Sequence, residues 1–151
     1  MAEEITVLIL AALPITEVRA SIPLGVLVYH LSPVTTIILS VVGSLLPVFP
    51  LLWFLTYLVK YLKRISSFDK FFEWLFAHTR ARSKLIEDFE LVGLAIFVAI
   101  PLPGFGIWTG MAAAYLLGLR WIPTFIAAMV GTIVASLIVY GATLGVISFI
   151  L

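Results

Sequence analysis

Residues 13–23 read LPITEVRASIP and place two opposite charges, Glu17 and Arg19, inside a run of otherwise apolar sequence. An ionisable residue at membrane depth is costly, so by default it marks a pathway or a binding site. Pro14 and Pro23 each disfavour helical geometry in the residue that precedes them. We therefore expect a broken backbone around the two charges. A membrane tolerates such a break only where protein or a water-filled cavity satisfies it.

The composition places the whole chain in a bilayer. Of its 151 residues, 63% are hydrophobic and 11% are charged, and the mean hydropathy is +1.22. A soluble domain is about half apolar and about a quarter charged, so we expect one all-α integral membrane domain over residues 1–151. The chain has no cysteine, and its two histidines, His30 and His78, lie far apart. We therefore expect no metal site and no cofactor.

Four apolar stretches and one amphipathic stretch organise this domain. The apolar stretches cover residues 5–31, 33–62, 91–117 and 122–151, and each exceeds the roughly 20 residues that a spanning helix needs. Residues 66–90 hold most of the charge and carry phenylalanines at helical spacing. This pattern is typical of an amphipathic helix at the membrane surface, and we interpret it as a connector.

The third stretch repeats the unusual composition of the first. Residues 100–110 read IPLPGFGIWTG, with two prolines and three glycines in the middle of an apolar segment. We expect a first repeat over residues 1–65 and a second over 91–151. Paired interrupted segments in two halves of a chain indicate the binding site of a transporter. The matched landmarks are Leu13-Pro14 with Ile100-Pro101, Tyr29 with Tyr115, Pro33 with Pro123, and Gly43-Ser44 with Gly131-Thr132.

Two topologies compete. Either all four stretches cross the membrane, or the first and third are re-entrant hairpins with arms of about ten residues, roughly 15 Å of helix and half of a ~30 Å core. With residues 60–90 in the cytoplasm, the hairpin topology also places Arg120 inside and the acidic Glu3 and Glu4 outside, as the positive-inside rule favours. With four spans, Arg120 would lie outside and the acidic N-terminus would lie inside. We therefore predict two inverted repeats, each a re-entrant helical hairpin plus one transmembrane helix, joined by the cytoplasmic connector.

In the hairpin topology the two tips meet near the midplane. We expect each returning half-helix to start at its tip, near Pro23 and near Trp108, and helix N-termini attract anions. Arg19 would add positive charge, and Glu17 is the candidate proton carrier. Burial disfavours the charged form of a carboxyl group whereas a nearby cation favours it, so its charge state stays open. The candidate substrate-binding and coupling residues are Thr16, Glu17, Arg19, Ser21, Pro101, Pro103, Gly104, Gly106 and Thr109.

The same motifs carry a family resemblance. EVR at residues 17–19 and IPLG at 22–25, with PLPGFGIWTG at 101–110, resemble the putative small multidrug export protein family, which is itself similar in architecture to the DedA/VTT superfamily. This implies a double re-entrant-hairpin fold and the transport or flipping of lipids, in several relatives lipid-linked phosphates, often with proton coupling. The family's acidic and basic hairpin residues correspond to Glu17 and Arg19. DedA proteins typically carry arginines around the proline of the second hairpin, and the nearest positions in this sequence are Val98 and Gly104.

Enzyme functions find no support in the sequence. It has no Gly-rich phosphate loop ending in Lys-Ser/Thr and no HExxH motif. Three classes remain: a transporter or lipid flippase for an anionic amphipathic or lipid-linked substrate, proton-coupled through Glu17; a passive scramblase or membrane-organising protein; and a four-span drug/proton antiporter. A purely structural Glu17–Arg19 pair also stays open. We expect a plasma-membrane protein whose partners are membrane lipid, the substrate and protons, without nucleic acid, and a homo-oligomer stays open.

Overall fold

The computed structural model describes residues 1–80 and 84–150, and the regular secondary structure in this part of the chain consists of helices. Part of the expected connector, residues 81–83 with Arg82, lies outside the described residues. The all-helical class is therefore confirmed. The helices are α1 (Ala2–Ala12), α2 (Glu17–Pro23), α3 (Pro33–Leu45), α4 (Val48–Leu62), α5 (Ser66–Arg80), α6 (Lys84–Ala99), α7 (Ile107–Leu116) and α8 (Trp121–Ile150).

Within the described part of the chain, two helical segments are long and apolar enough to cross a membrane. They are Pro33–Leu62, with 30 residues, and Trp121–Val146, with 26 residues, so at 1.5 Å per residue each exceeds a core of about 30 Å. The first comprises α3 and α4, separated by a turn at residues 46–47 that contains Pro47. Large apolar side chains such as Ile38, Phe49 and Leu137 are exposed on these helices. Exposed apolar surface of this kind suits contact with lipid.

The first and third apolar stretches are both broken in the middle. Helix α1 ends at Ala12 and α2 begins at Glu17, whereas α6 ends at Ala99 and α7 begins at Ile107. Pro14 lies in the first break, and Pro101 and Pro103 lie in the second, where their rigid rings and missing N–H groups stop a helix. Helix α1 has 11 residues and α7 has 10, each about 15 Å and half the thickness of a bilayer core.

The expectation that the first returning helix begins near Pro23 is wrong. Helix α2 begins at Glu17 and runs through Pro23 into a π-helical turn, Leu24–Val28. Proline has no N–H to donate within a helix, and the following turn widens so that the Tyr29 N–H donates to the Leu24 carbonyl at 3.0 Å. The helical backbone therefore continues through Pro23 without a break. Glu17 and Arg19 lie in the first turn of α2.

Helix α2 and the π-helical turn run back along α3. Gly25 lies directly against the side chain of Thr36, and the Ser21 hydroxyl donates to the Ser40 hydroxyl at 2.8 Å. Earlier residues of one segment thus meet later residues of the other, which makes the two antiparallel. Val18 and Ile22 of α2 make buried apolar contacts with Ala135 and Val139 of α8.

One close helix contact occurs in both halves of the chain. In each half a glycine of a candidate membrane-spanning segment, on α3 or α8, lies against a backbone carbonyl of the helix before the break, α1 or α6, and against the side chain three residues later. Any Cβ at either glycine would collide with its neighbours, so the two helices approach as closely as backbones allow. The contacts join Gly43 to Leu8 and Ala11, and Gly131 to Ala95 and Val98. Gly43 and Gly131 are a landmark pair of the expected repeat.

The connector differs from a single surface helix over 66–90. Helix α5 buries Phe72 and exposes Phe71 and Trp74, as an amphipathic helix does. Helix α6, however, begins at Lys84 and continues across residue 90 as far as Ala99. The charged residues at its start and the apolar stretch that follows form one helix because no proline separates them.

Candidate functional site

Glu17 is buried at the point where the first broken stretch resumes as a helix. Its side chain is 6% exposed, and its Oε2 atom lies 3.5 Å from Nη2 of Arg19. Its backbone adopts φ +43°, a left-handed conformation that is unfavourable for a residue with a Cβ. Such a conformation persists only where the surroundings fix it, and it is frequent at functional sites.

The second broken stretch supplies the hydrogen-bond donors for this carboxylate. The backbone N–H groups of Ile107 and Trp108, the first two residues of α7, donate to Glu17. Helix N-termini carry unpaired N–H groups and partial positive charge. Glu17 thus caps α7 from the other half of the chain.

Gly106 makes this approach feasible. A Cβ at this position would collide with both carboxylate oxygens of Glu17 and with the carbon between them. Its φ of +152° is also a conformation that L side chains rarely adopt. Glycine at position 106 is therefore required by the geometry of the backbone and by the carboxylate beside it.

Further hydrogen bonds hold the two breaks. The Trp108 indole Nε1 donates to the carbonyl of Ala12, the last residue of α1, at 3.3 Å. Within the first break, the Thr16 hydroxyl donates to the Leu10 carbonyl. The two breaks therefore meet at two contacts between halves, Glu17 with the start of α7 and Trp108 with the end of α1.

Arg19 borders a cleft on the surface of the helix assembly. Its side chain is 19% exposed, and its Nε atom is buried without a hydrogen-bond partner. The cleft has a volume of about 390 Å³, within the range of small-ligand sites. A charged and hydrogen-bonding group at one end of an apolar cleft suits an anionic amphiphile. The other lining residues are Pro23, Leu27, Pro101, Ile138, Val139, Ala142, Thr143 and Val146.

The structure brings together some of the candidate site residues expected from the sequence. Glu17, Arg19 and Gly106 meet as described, Pro101 lines the Arg19 cleft, and Thr16 lies in the first break. The others lie apart from this contact. Ser21 is buried against Ser40 of α3, Pro103 and Gly104 are exposed in the second break, and Thr109 is exposed on α7 with its hydroxyl 3.4 Å from the Gly106 carbonyl.

The sequence did not identify the individual groups that the second half of the chain contributes to the site. The amides of Ile107 and Trp108 carry no side-chain signal, although the expected helix start near Trp108 is confirmed within one residue. Thr143 was detectable, because Thr132, Ser136 and Thr143 recur at helical spacing on α8 and all three are buried.

Metal chemistry has no visible support at this site. Among the residues that the structure describes, no group of three or more His, Cys, Asp or Glu side chains could hold a metal ion. The chemistry available to the site is proton exchange at Glu17 and charge pairing at Arg19.

Comparison with known proteins places the chain in a family. The model of the family described as "Putative small multi-drug export protein" matches residues 17–138, which include both charges of the first break, the whole second break and most of both long apolar segments. No curated protein and no solved structure matches the chain, so the likeness to the DedA/VTT superfamily stays a prediction. The family match covers most of the sequence, and the chain therefore belongs to the small multidrug export protein family.

Proposed function

We propose that this chain is a membrane exporter of anionic amphipathic or lipid-linked molecules, in which a proton on Glu17 controls the contact between two re-entrant hairpins. The observation that carries the proposal is the buried Glu17 carboxylate, which joins Arg19 to the N-terminus of α7. An intramembrane carboxyl group that links two broken helices is a recurrent element of proton relays and transporters.

The proposed topology is inverted. Residues 5–31 and 91–117 enter the membrane from opposite faces and return, whereas Pro33–Leu62 and Trp121–Val146 cross it. Support comes from the shortness of α1 and α7, from the glycine contact common to both halves, and from the positive charge of residues 60–90, which favours a cytoplasmic position. The same architecture is implied by the resemblance to the DedA/VTT superfamily.

The proposed switch is the charge on Glu17. Ionised, the carboxylate accepts charge-assisted hydrogen bonds from the α7 amides and pairs with Arg19. A proton on Glu17 removes the charge that both partners attract and also removes the cost of burying that charge. The charge state of Glu17 thus sets the strength of the link between α2 and α7, and a change in it lets the hairpins move apart and change the side to which the cleft opens.

The proposed substrate site is the cleft beside Arg19. Once Glu17 is neutral, the Arg19 guanidinium needs another anion, and it is suited to carboxylate and phosphate geometry. The apolar walls provided by residues such as Leu27, Ile138 and Val146 would hold the hydrophobic part of the substrate. This division of the cleft supports an anionic amphiphile rather than a small hydrophilic solute.

The proposal is tested by lipid movement under an imposed pH gradient. Purified protein is reconstituted into vesicles with a short-chain fluorescent phosphatidylglycerol, and its movement between leaflets is followed by chemical quenching. Wild-type protein should respond to the gradient. Glu17→Gln should lose this response while downhill exchange persists, and Glu17→Asp, one methylene shorter, should be impaired but still respond to pH.

The matched control is Glu3→Gln, which removes an exposed carboxyl group from α1 and should leave the pH response unchanged. Arg19→Lys should retain part of the activity because the charge remains, whereas Arg19→Ala should lose it. Because Arg19→Ala also leaves Glu17 unpaired, Glu17→Gln/Arg19→Ala serves as its control. An unchanged pH response in Glu17→Gln would contradict the proposal and favour a passive scramblase.

A further inference from the structure

A second cavity lies between α4, α7 and the start of α8. It has a volume of about 370 Å³ and shares no lining residue with the Arg19 cleft. Its polar lining includes Tyr115, Arg120, Trp121 and Thr124, and Leu52 of α4 forms part of its apolar wall. The volume falls within the range of cavities that hold small ligands.

Thr124 has an unsatisfied hydroxyl group in this cavity. The residue is 3% exposed, and its Oγ1 makes no hydrogen bond. Thr36 holds the corresponding position in α3, seven residues before Gly43 as Thr124 is before Gly131, and its hydroxyl donates to the Ser32 carbonyl at 3.0 Å. A buried polar group without a partner is destabilising. The hydroxyl of Thr124 therefore has unused hydrogen-bonding capacity in a residue that lines the cavity.

The start of α8 adds positive potential at the same place. The first N–H groups of a helix have no partner within the helix, and the N-terminus carries partial positive charge. Arg120, immediately before the helix, is a positively charged residue that lines the cavity. A hydroxyl donor, a cation and a helix N-terminus that converge on one cavity favour an anion with several acceptor oxygens.

An apolar groove adjoins the polar cavity. The groove has a volume of about 250 Å³ and shares Leu52 and Trp121 with the cavity. Its other walls are formed by apolar side chains that include Phe49, Met111 and Phe125. A ligand with a charged head and a hydrocarbon tail could thus place its head at α8 and its tail along α4.

We propose that this cavity binds the phosphoryl group of an acidic amphiphile. The Thr124 hydroxyl donates to one phosphoryl oxygen, Arg120 pairs with the negative charge, and the N-terminus of α8 faces the remaining oxygens. A carboxylate has only two oxygens for these donors, whereas a phosphoryl group offers more. The inference uses none of the residues of the proton-dependent contact, so it holds whether or not Glu17 couples export to protons.

The test measures ligand binding to the purified chain in detergent. Native mass spectrometry compares the affinity for phosphatidylglycerol with that for phosphatidylcholine, and inorganic phosphate is added as a competitor. We expect tighter binding of phosphatidylglycerol. Its affinity should fall about tenfold in Arg120→Gln, which removes a charge-assisted partner, and several-fold in Thr124→Val.

Two controls separate a built site from general charge attraction. Lys70→Gln removes one exposed positive charge from α5 and should leave phosphatidylglycerol binding unchanged. Thr124→Val should not lower the melting temperature without ligand, because it removes an unsatisfied hydroxyl, yet it should reduce the rise that phosphatidylglycerol causes.

The arms of the experiment identify the source of the phosphoryl group. Preference for phosphatidylglycerol that both variants weaken supports a lipid headgroup. Binding of inorganic phosphate that both variants weaken, with no preference between the lipids, supports the same site with free phosphate as its ligand. If neither ligand is affected by Arg120→Gln and Thr124→Val, or if Lys70→Gln has the same effect as Arg120→Gln, the proposal is overturned.

Discussion

At the residue scale, Glu17 is satisfied by groups that are distant in sequence. Its carboxylate depends on Arg19 two residues later and on backbone amides of α7 about ninety residues away in the chain. A buried carboxylate without these partners would be strongly unfavourable. Glu17 therefore ties the stability of the contact between the halves to its own charge.

Gly106→Ala should destabilise the protein more than Gly104→Ala. Both glycines have positive φ, but a Cβ at Gly104 meets open space whereas one at Gly106 collides with Glu17. We expect a loss of about 2–4 kcal/mol for Gly106→Ala, from backbone strain and overpacking together, and about 1 kcal/mol for Gly104→Ala. Chemical unfolding in detergent measures both. Equal losses would contradict the placement of the carboxylate against Gly106.

The sequence identified the charged members of the site but not the backbone groups that complete it. Glu17 and Arg19 were recognisable because charge is costly in an apolar run. The amides of Ile107 and Trp108 could not be identified, because the direction of an N–H depends on the conformation of the second break and not on side-chain type. Ser21 was assigned to the site, but α2 begins at Glu17 and not near Pro23, which turns Ser21 towards α3.

At the scale of elements, the glycine contact fixes the packing of α1 on α3 and of α6 on α8. Gly43 and Gly131 each lie against a backbone carbonyl, which cannot move aside as the end of a flexible side chain can. The polar residues of α3 reinforce its side of the contact, because Ser44 donates to the Ala11 carbonyl at 3.1 Å. Close backbone approach at small residues is a common means of helix association in membranes.

Gly43→Ala and Gly131→Ala should each lower the free energy of unfolding by about 1–3 kcal/mol, the usual cost of overpacking. Gly141→Ala and Gly145→Ala are the matched controls on α8, because a Cβ at either position meets nothing within 4 Å. These two should be neutral or should stabilise the helix by about 0.5–1 kcal/mol. If all four substitutions destabilise the protein to the same extent, α3 and α8 tolerate no alanine at glycine positions in general, and the result would contradict a specific contact at Gly43 and Gly131.

Some element boundaries were predictable from the prolines, but not all of them. Pro14 and Pro101 lie in breaks, as expected, because proline lacks a backbone N–H and its ring clashes with the preceding turn of a helix. Pro23 was misjudged because a π-helical turn accommodates it. The end of the connector was also misplaced, since the charged start of α6 and its apolar continuation belong to one helix.

At the scale of the whole molecule, the inverted topology makes a prediction about the sides of the membrane. Single cysteines at Ala2 and Ser66, both exposed, can be labelled with a membrane-impermeant reagent because the chain has no cysteine of its own. The hairpin topology predicts that Ala2 is labelled from outside and Ser66 from the cytoplasm. Labelling of both positions from the same side would instead support four spans.

The central claim is that the charge state of Glu17 controls the contact between the two breaks. Spin labels on cysteines at Ile15 and Leu102, exposed residues of the first and second breaks, report their separation in lipid nanodiscs by pulsed electron resonance. We predict a distance that changes with pH in the wild-type chain and does not change with pH in Glu17→Gln, which cannot titrate. A distance that does not change with pH, or that changes equally in Glu17→Gln, would contradict the claim.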